Sequence, residues 1–329
     1  MLLEAFIGKM ANAENVSVEE EGILIGGAIQ ENRGVKVIID GGIYSGSHQM
    51  VLRGEAEGTI PESNPLEQQF KILKILEAEG IKAPKPYWYC DDTNITGKRF
   101  FLMKKVKGEA LGNRVTRHGE QIKLAVALGR ELARIHKISP HRHDLGFLNS
   151  ISVSPSVDAI SKYRNYLDDL PEPHPVLEWT LRWLEMRSLE SEEIVLCHRD
   201  FRTGNYMVNN SDLVSILDWE FTGWGDRHED IAWFCARCWR FSCPTLHAGG
   251  IASRSIFYEA YERESNKRIN RGLVYYWEVM AHVRWAVIAL QQSMRYRSGQ
   301  EENLELALIG RRLAELEYEC LRLTGAFKE

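Results

Sequence analysis

The chain has 329 residues, a net charge of −5, 44% hydrophobic and 26% charged residues, and neither an internal repeat nor a low-complexity tract. That is enough apolar material for a sizeable core, and a length that suits two domains or two lobes of one enzyme. The acidic balance argues against a nucleic-acid binder, which usually shows a basic face, while leaving room for a local basic pocket around a phosphate.

Six cysteines are too sparse for a disulfide scaffold and read as reduced thiols. The opening MLLEAFIGKM is short, carries Glu4, and lacks a basic start followed by an apolar run and a cleavage site. The longest apolar stretch, 272–290, is interrupted by Glu278, His282 and Arg284, so it does not read as a membrane span. The expectation is a cytoplasmic protein with no membrane association, no nucleic acid and no evident obligate protein partner.

Residues 1–103 read as α+β. VKVIID (35–40) and HQMVLRG (48–54) are β-type runs joined by the turn-rich GGIYSGS, which predicts a hairpin. In 64–80, Leu66, Phe70, Leu73 and Leu76 fall at helical spacing, with Gly80 as a stop. APKPYWYC leads to another hairpin, and RFFLMKKV (99–106) reads as a strand. The expectation is a small sheet with one helix against it.

The pattern changes near Met103–Lys107. EQIKLAVALGRELARIHKI (120–138) is amphipathic, and 157–189 reads as helical around the break PEPHP. Helical segments dominate again at 227–241, 250–263, 272–296 and 301–323. We therefore expect a β-rich lobe over 1–103 and a larger, mainly helical lobe over 104–329. Cys235-x-x-Cys238 with Cys243, near His228 and His247, raises structural zinc. EDIAWFCARCWRF instead looks like a helix in which cysteine is a small buried hydrophobe.

Between the helical segments lies LCHRDFRTGNYMVNNSDLVSILDWEF (196–221). NYMV (205–208) and LVSILDW (213–219) are strand-like runs around the turn signal NNSD. Folding the hairpin about that turn sets Asn205 roughly opposite Asp218. An amide oxygen and a carboxylate are hard ligands, suited to Mg²⁺ rather than zinc. Asp200 lies five residues before Asn205, in the entering loop. HRDFRTGN satisfies the kinase catalytic-loop form H-R-D-x-x-x-x-N at every fixed position, and such a site needs one carboxylate for the attacking hydroxyl's proton.

CHRDFRTGNYMV, SILDWEFTGWGDRHEDIAW, RELARIHKI and FFLMKKVKGEAL together resemble the aminoglycoside phosphotransferase (APH) and choline kinase-like family, whose fold is similar to that of protein kinases. GGAIQENRG, MVLRG and ARCWRF look most like the subgroup that includes the kinase-like domain of certain animal acyl-CoA dehydrogenases. The resemblance spans roughly 22–300 and implies a two-lobe protein-kinase-like α+β fold with ATP and Mg²⁺ as cofactors. It makes Asp200 the catalytic base, with Arg202 beside the transferring phosphate. Asn205 and Asp218 become the Mg²⁺ ligands. His198 braces the loop, and Asp230 holds it from behind.

On the nucleotide side, Gly26 and Gly27 would let backbone approach the phosphates, and Arg53 takes the place of the strand lysine that pairs with the α- and β-phosphates. The helix glutamate expected beside that cation is Gln69 here. Either Glu67 substitutes for it or the ion pair is absent. Adenine would lie near Met103 and Lys104.

No A-P-E occurs, and GDRHEDIAW follows DWE within a few residues, which leaves no peptide-docking segment. The expected acceptor is therefore a small hydroxylated molecule. ARCWRF and HVRWA add Arg and Trp, which suits an anionic or partly apolar acceptor at least as well as a polycationic aminoglycoside, and the subgroup points to hydroxyacyl compounds. A catalytically inert, kinase-like nucleotide-binding module and a metal-dependent hydrolase are the competing readings.

Overall fold

The structure, a computed structural model, describes residues 2–24, 31–55, 62–140, 142–151, 153–301 and 303–326. In chain order its elements are α1 (Leu2–Ala11), β1 (Asn15–Ile23), β2 (Glu31–Asp40), β3 (Gly46–Gly54), α2 (Leu66–Ala78), β4 (Pro86–Cys90) and β5 (Phe100–Lys104). There follow α3 (Gly112–Val115), α4 (Ile122–Ile135), α5 (Pro155–Asp168), α6 (Pro175–Met186), β6 (Ile194–Cys197), β7 (Tyr206–Asn209), β8 (Asp212–Ile216) and β9 (Gly223–Asp226). The chain closes with α7 (Arg227–Cys235), α8 (Arg254–Ser265), α9 (Arg271–Arg297), α10 (Leu304–Gly310) and α11 (Leu313–Leu323). Among the described residues, no helix is long and apolar enough to cross a membrane.

Contacts divide the chain into two units. The first comprises 1–110, 143–147 and 204–222, and the second 111–142, 148–203 and 223–329. The first unit is built on an antiparallel sheet of order β1-β2-β3-β5-β4. Side chains alternate across a strand, so Val35, Val37, Ile39, Met50, Leu52, Trp88, Phe100 and Leu102 share one buried face. Ile7 and Ala11 of α1 pack into that face, with Phe6 edge-on to Phe100 at 5.5 Å.

Arg53 alternates with Leu52 and so falls on the opposite face of the sheet, as does Phe101 with respect to Phe100 and Leu102. There Phe70 of α2 meets Phe101 and Tyr89, with centroids 5.7 and 5.9 Å apart. The expectation of a single helix against the sheet is therefore corrected: each face carries one. MLLEAFIGKM is too short for a helical period to stand out, and its stability comes from docking on the sheet rather than from propensity.

The hairpin β7–β8 belongs to the same unit. Asn210 and Ser211 carry φ of 48° and 65°, the positive-φ pair that a two-residue turn needs to match strand twist. Lys82, in the loop after α2, pins the hairpin twice: its Nζ donates to Leu213 O at 2.7 Å, and its carbonyl accepts Ile216 N–H at 2.6 Å.

The second unit is mainly helical, with the short antiparallel pair β6–β9 leading into α7. α4 packs on α8 through Gly129, where a Cβ would come within 2.6 Å of the Phe257 carbonyl oxygen. The 157–189 region resolves into α5 and α6, and 301–323 into α10 and α11. Mixed α+β architecture is thus observed, with the sheet towards the front of the chain and helices dominating behind it.

Candidate active site

In the second unit, β6 ends at Cys197 and runs into the loop 198–203. His198 is fully buried, and Arg199 takes a left-handed backbone with φ of 64°. A non-glycine residue in that region costs about 1–2 kcal/mol and persists only where its surroundings hold it. Asp230, in the first turn of α7, provides the hold: its carboxylate accepts the backbone N–H of His198 and of Arg199, each at 2.7 Å. The Arg199 guanidinium donates to Trp224 O at 2.6 Å.

His136 Nε2 lies 3.2 Å from the same Asp230 carboxylate, and its Nδ1 lies 2.8 Å from the Tyr261 hydroxyl. Burial opposes ionisation of Asp230, but its hydrogen bonds to His136 and the His198 backbone outweigh that and hold the carboxyl below the usual aspartate range. His136, Cys197 and Asp230 form a buried trio whose donor atoms all lie within 4.8 Å of one another. It is not a metal centre by its chemistry: Asp230 already accepts three hydrogen bonds, and burial pushes the Cys197 thiol well up.

Asp200 immediately follows Arg199. Its backbone N–H donates to His198 Nδ1 at 3.1 Å, so that nitrogen is the acceptor and the imidazole proton is on Nε2. The Asp200 carboxylate is oriented by two side chains. Trp233 Nε1, from α7, donates to Oδ1 at 2.8 Å, and Arg202 Nε donates at 3.1 and 3.3 Å to Oδ1 and Oδ2. Thr203 closes the loop by donating to Gly249 O at 2.6 Å.

Around this carboxylate the second unit gathers aromatic rings and guanidinium groups. Trp233, Trp239 and Trp285 form a chain with centroids 5.1 and 4.7 Å apart. Arg202 lies 4.4 Å over the Trp239 ring, and Arg284 4.5 Å over Trp233. The indole N–H groups of Trp239 and Trp285 are buried without a partner among the described residues. Cys235 and Cys238 are part of this buried packing, the Cys235 thiol pushed up to about 11 by burial. Among the described residues they belong to no metal-ligand cluster.

In the first unit, Asn205 enters the hairpin and Asp218 leaves it. The expected pairing of these two is displaced by one residue. A bulge between Met207 and Val208 shifts the register, and Leu217 N–H, not that of Asp218, donates to Asn205 O at 2.8 Å. Asp218 follows with a left-handed backbone, φ 65° and ψ 62°, and its side chain keeps 27% of its surface open.

Arg53 Nη2 lies 3.5 Å from Asp218 Oδ1 and 3.5 Å from Glu220 Oε2. Glu67 is on the solvent side of α2, paired with Lys71 at 2.6 Å. Gln69 is buried, and its amide donates to Asn64 O at 2.7 Å. Met103 and Lys104 end β5, opposite Val51 and Met50. Gly26 and Gly27 lie outside the described residues.

Some contributors were not singled out from sequence. Trp233 falls one helical turn after Asp230 in EDIAW, and His136 lies within RELARIHKI; both segments stood out as whole motifs rather than for those side chains. Glu220 was visible only as the third letter of DWE.

An antiparallel sheet between two helices, a helical second unit, and an H-R-D-x-x-x-x-N loop before an ILDWE hairpin define a kinase-like protein. The comparisons agree. The chain belongs to the phosphotransferase enzyme family (APH), whose profile matches residues 26–264. It is 28% identical over 200 residues to mouse acyl-CoA dehydrogenase family member 10, covering 57% of this chain and 18% of that protein. With the human family member 11 it shares 26% over 227 residues, covering 65% of this chain and 28% of the relative. The chain thus spans well under a third of the length of these relatives. Among solved structures, a Ralstonia eutropha protein described as an aminoglycoside phosphotransferase superposes with a TM-score of 0.78 at 19% identity, covering 100% of this chain and 98% of that one. A Plasmodium vivax ethanolamine kinase gives 0.64 at 18% identity over 94% and 83% of the two chains. A spectinomycin phosphotransferase in complex with ADP and spectinomycin gives 0.62 at 13%, over 96% of each.

Proposed function

We propose that the protein transfers the γ-phosphate of ATP to a hydroxyl of a small molecule. The observation that carries this reading is the fixed carboxylate of Asp200, held by Trp233 and Arg202 at the centre of an H-R-D-x-x-x-x-N loop. In the transfer, Asp200 takes the acceptor hydroxyl's proton as the new O–P bond forms and the bond from the γ-phosphorus to the β-bridging oxygen breaks, releasing ADP. Arg202, stacked on Trp239, supplies positive charge beside the transferring group. Its pairing with Asp200 keeps that base aimed.

Asn205 and Asp218 carry the hard oxygen donors that would hold Mg²⁺, and Asp218 suits the role because its ion pair with Arg53 is long, 3.5 Å. Bound there, the ion would neutralise charge on the nucleotide phosphates. Arg53 is the phosphate-facing cation of the first unit. Adenine would rest near Met103 and Lys104, and Gly26 and Gly27 would approach the phosphates through backbone. His198 and Asp230 keep the loop in shape without touching substrate. The ADP bound by the spectinomycin phosphotransferase supports ATP as the donor.

For the acceptor, Trp239 and Trp285 offer unpartnered indole donors, and Arg202 and Arg284 offer cations on aromatic faces. A polycation has nothing to gain from such groups. A hydroxylated molecule bearing carbonyl or anionic oxygens does, and the acyl-CoA dehydrogenase family relatives favour a hydroxyacyl compound. The inert-module reading draws on one observation, the neutral Gln69 on α2. Measuring ADP release with ATP, Mg²⁺ and panels of hydroxyacyl compounds, amino alcohols and aminoglycosides tests the proposal. Acceptor-dependent ADP release supports it. Tight Mg²⁺-dependent nucleotide binding with no turnover on any acceptor favours the inert module, and turnover that no acceptor stimulates favours a hydrolase.

A further inference from the structure

We propose that Glu220 is the positioning residue for Arg53, performing from the DWE turn the task that a glutamate on α2 would otherwise perform. The inference rests on the reading above that Arg53 meets the nucleotide phosphates. Arg53 is 7% exposed, and a guanidinium so deep requires a carboxylate partner. α2 has none to give: Gln69 occupies the inward position and is engaged by Asn64 O at 2.7 Å, while Glu67 pairs outward with Lys71.

Glu220 is 4% exposed, and its Oε2 lies 3.5 Å from Arg53 Nη2. It is itself fixed from two sides. Ser63 Oγ donates to Oε2 at 3.4 Å, and Asn64 N–H donates to the Glu220 carbonyl at 2.7 Å. Asn64 Nδ2 adds a bond to Thr222 O at 2.8 Å. The start of α2 is thereby joined to the 219–222 turn through uncharged hydrogen bonds, and the ion pair runs from strand to turn instead of strand to helix. Two carboxylates now share one terminal nitrogen of Arg53. When Asp218 serves a divalent cation, Glu220 remains to hold the guanidinium, whose buried Nε has no partner among the described residues and is left for an anion. A single carboxylate could not serve both.

The test compares binding of Mg²⁺-ATP and of adenosine to the full chain by calorimetry, for wild type, Glu220→Gln, Gln69→Glu and the double variant. Adenosine has no phosphate, so it reads the integrity of the site apart from Arg53. We expect Glu220→Gln to weaken ATP by about ten-fold or more, the loss expected for a charge-assisted contact, with adenosine unchanged and no recovery in the double variant. Equal loss of ATP and adenosine, unchanged ATP affinity, or recovery by Gln69→Glu each overturns the assignment. In an Arg53→Ala background, Glu220→Gln should have no further effect on ATP, and an undiminished effect there overturns it independently. A wild-type protein that binds no nucleotide removes the functional reading itself, and this assignment with it.

Discussion

The carboxylate of Asp230 accepts the backbone N–H of Arg199 at 2.7 Å, and Arg199 is held there in a left-handed conformation with φ of 64°. The strained residue sits immediately before Asp200, so the hydrogen bond from α7 determines where the proposed base begins. The same carboxylate takes His198 N–H, and His198 Nδ1 in turn accepts Asp200 N–H. Three consecutive backbone amides are therefore fixed by two side chains, and the loop has little freedom of its own.

Replacing Asp230 by Ala removes the acceptor of two backbone N–H groups and the partner of His136 Nε2. We expect a stability loss of about 3–5 kcal/mol, the range for removing one partner of a buried ionic network, measurable by urea denaturation at pH 7. The pH dependence has a definite sign. Asp230 has its folded pKa lowered, so its contribution is complete above the ordinary aspartate range and is lost as pH falls through the folded value. Wild type should lose stability on acidification below about pH 4, where unfolded aspartates protonate, more steeply than the Ala variant.

His282 on α9 has the same sign in a different window. Burial lowers its pKa from 6.5, opposed only in part by the hydrogen bond from Nδ1 to Glu278 O, and Nε2 is buried without a partner among the described residues. Glu278, Glu319 and Arg240 are the charged groups that bear on it. Its stabilising contribution is present above the ordinary histidine value and lost as pH falls through the depressed one, by up to about 1.4 kcal/mol per pH unit. Melting temperatures from pH 7.5 to 5 should fall more steeply for wild type than for His282→Gln. Parallel curves would show that His282 does not protonate on unfolding in that range.

Gly129 tests the packing that carries α4. A Cβ there would meet Phe257 O at 2.6 Å and Tyr261 N at 3.2 Å, both backbone atoms that cannot swing aside. Gly129→Ala should therefore destabilise by about 1–3 kcal/mol, despite alanine's better helix propensity. A more stable variant in thermal denaturation would show that α8 can shift outward at little cost.

Much of this architecture was legible in the sequence. Alternation in VKVIID and the NNSD turn announced their strands, and the loop motif with ILDWE pointed to the proposed catalytic region. The register of the hairpin was not legible, because the bulge at Met207/Val208 depends on tertiary packing and leaves no local signal; the tip pairing alone would set Asn205 against Ile216, and the bulge moves its partner to Leu217, one residue short of Asp218. α1 was missed because ten residues carry too few helical turns for periodicity to speak. Glu220 was missed because its importance arises only when the DWE turn and β3 are brought together, across 167 residues of sequence.

The central claim is that Asp200 is the base of a phosphotransfer, and Asp200→Asn tests it most directly. The change keeps the shape and the Trp233 contact but removes the negative charge that accepts a proton. Acceptor-dependent ADP release and Mg²⁺-ATP affinity should be measured together on wild type and variant. The account predicts turnover reduced by about 10²–10⁴-fold, with ATP affinity nearly unchanged. Normal turnover in a folded Asp200→Asn protein would contradict it.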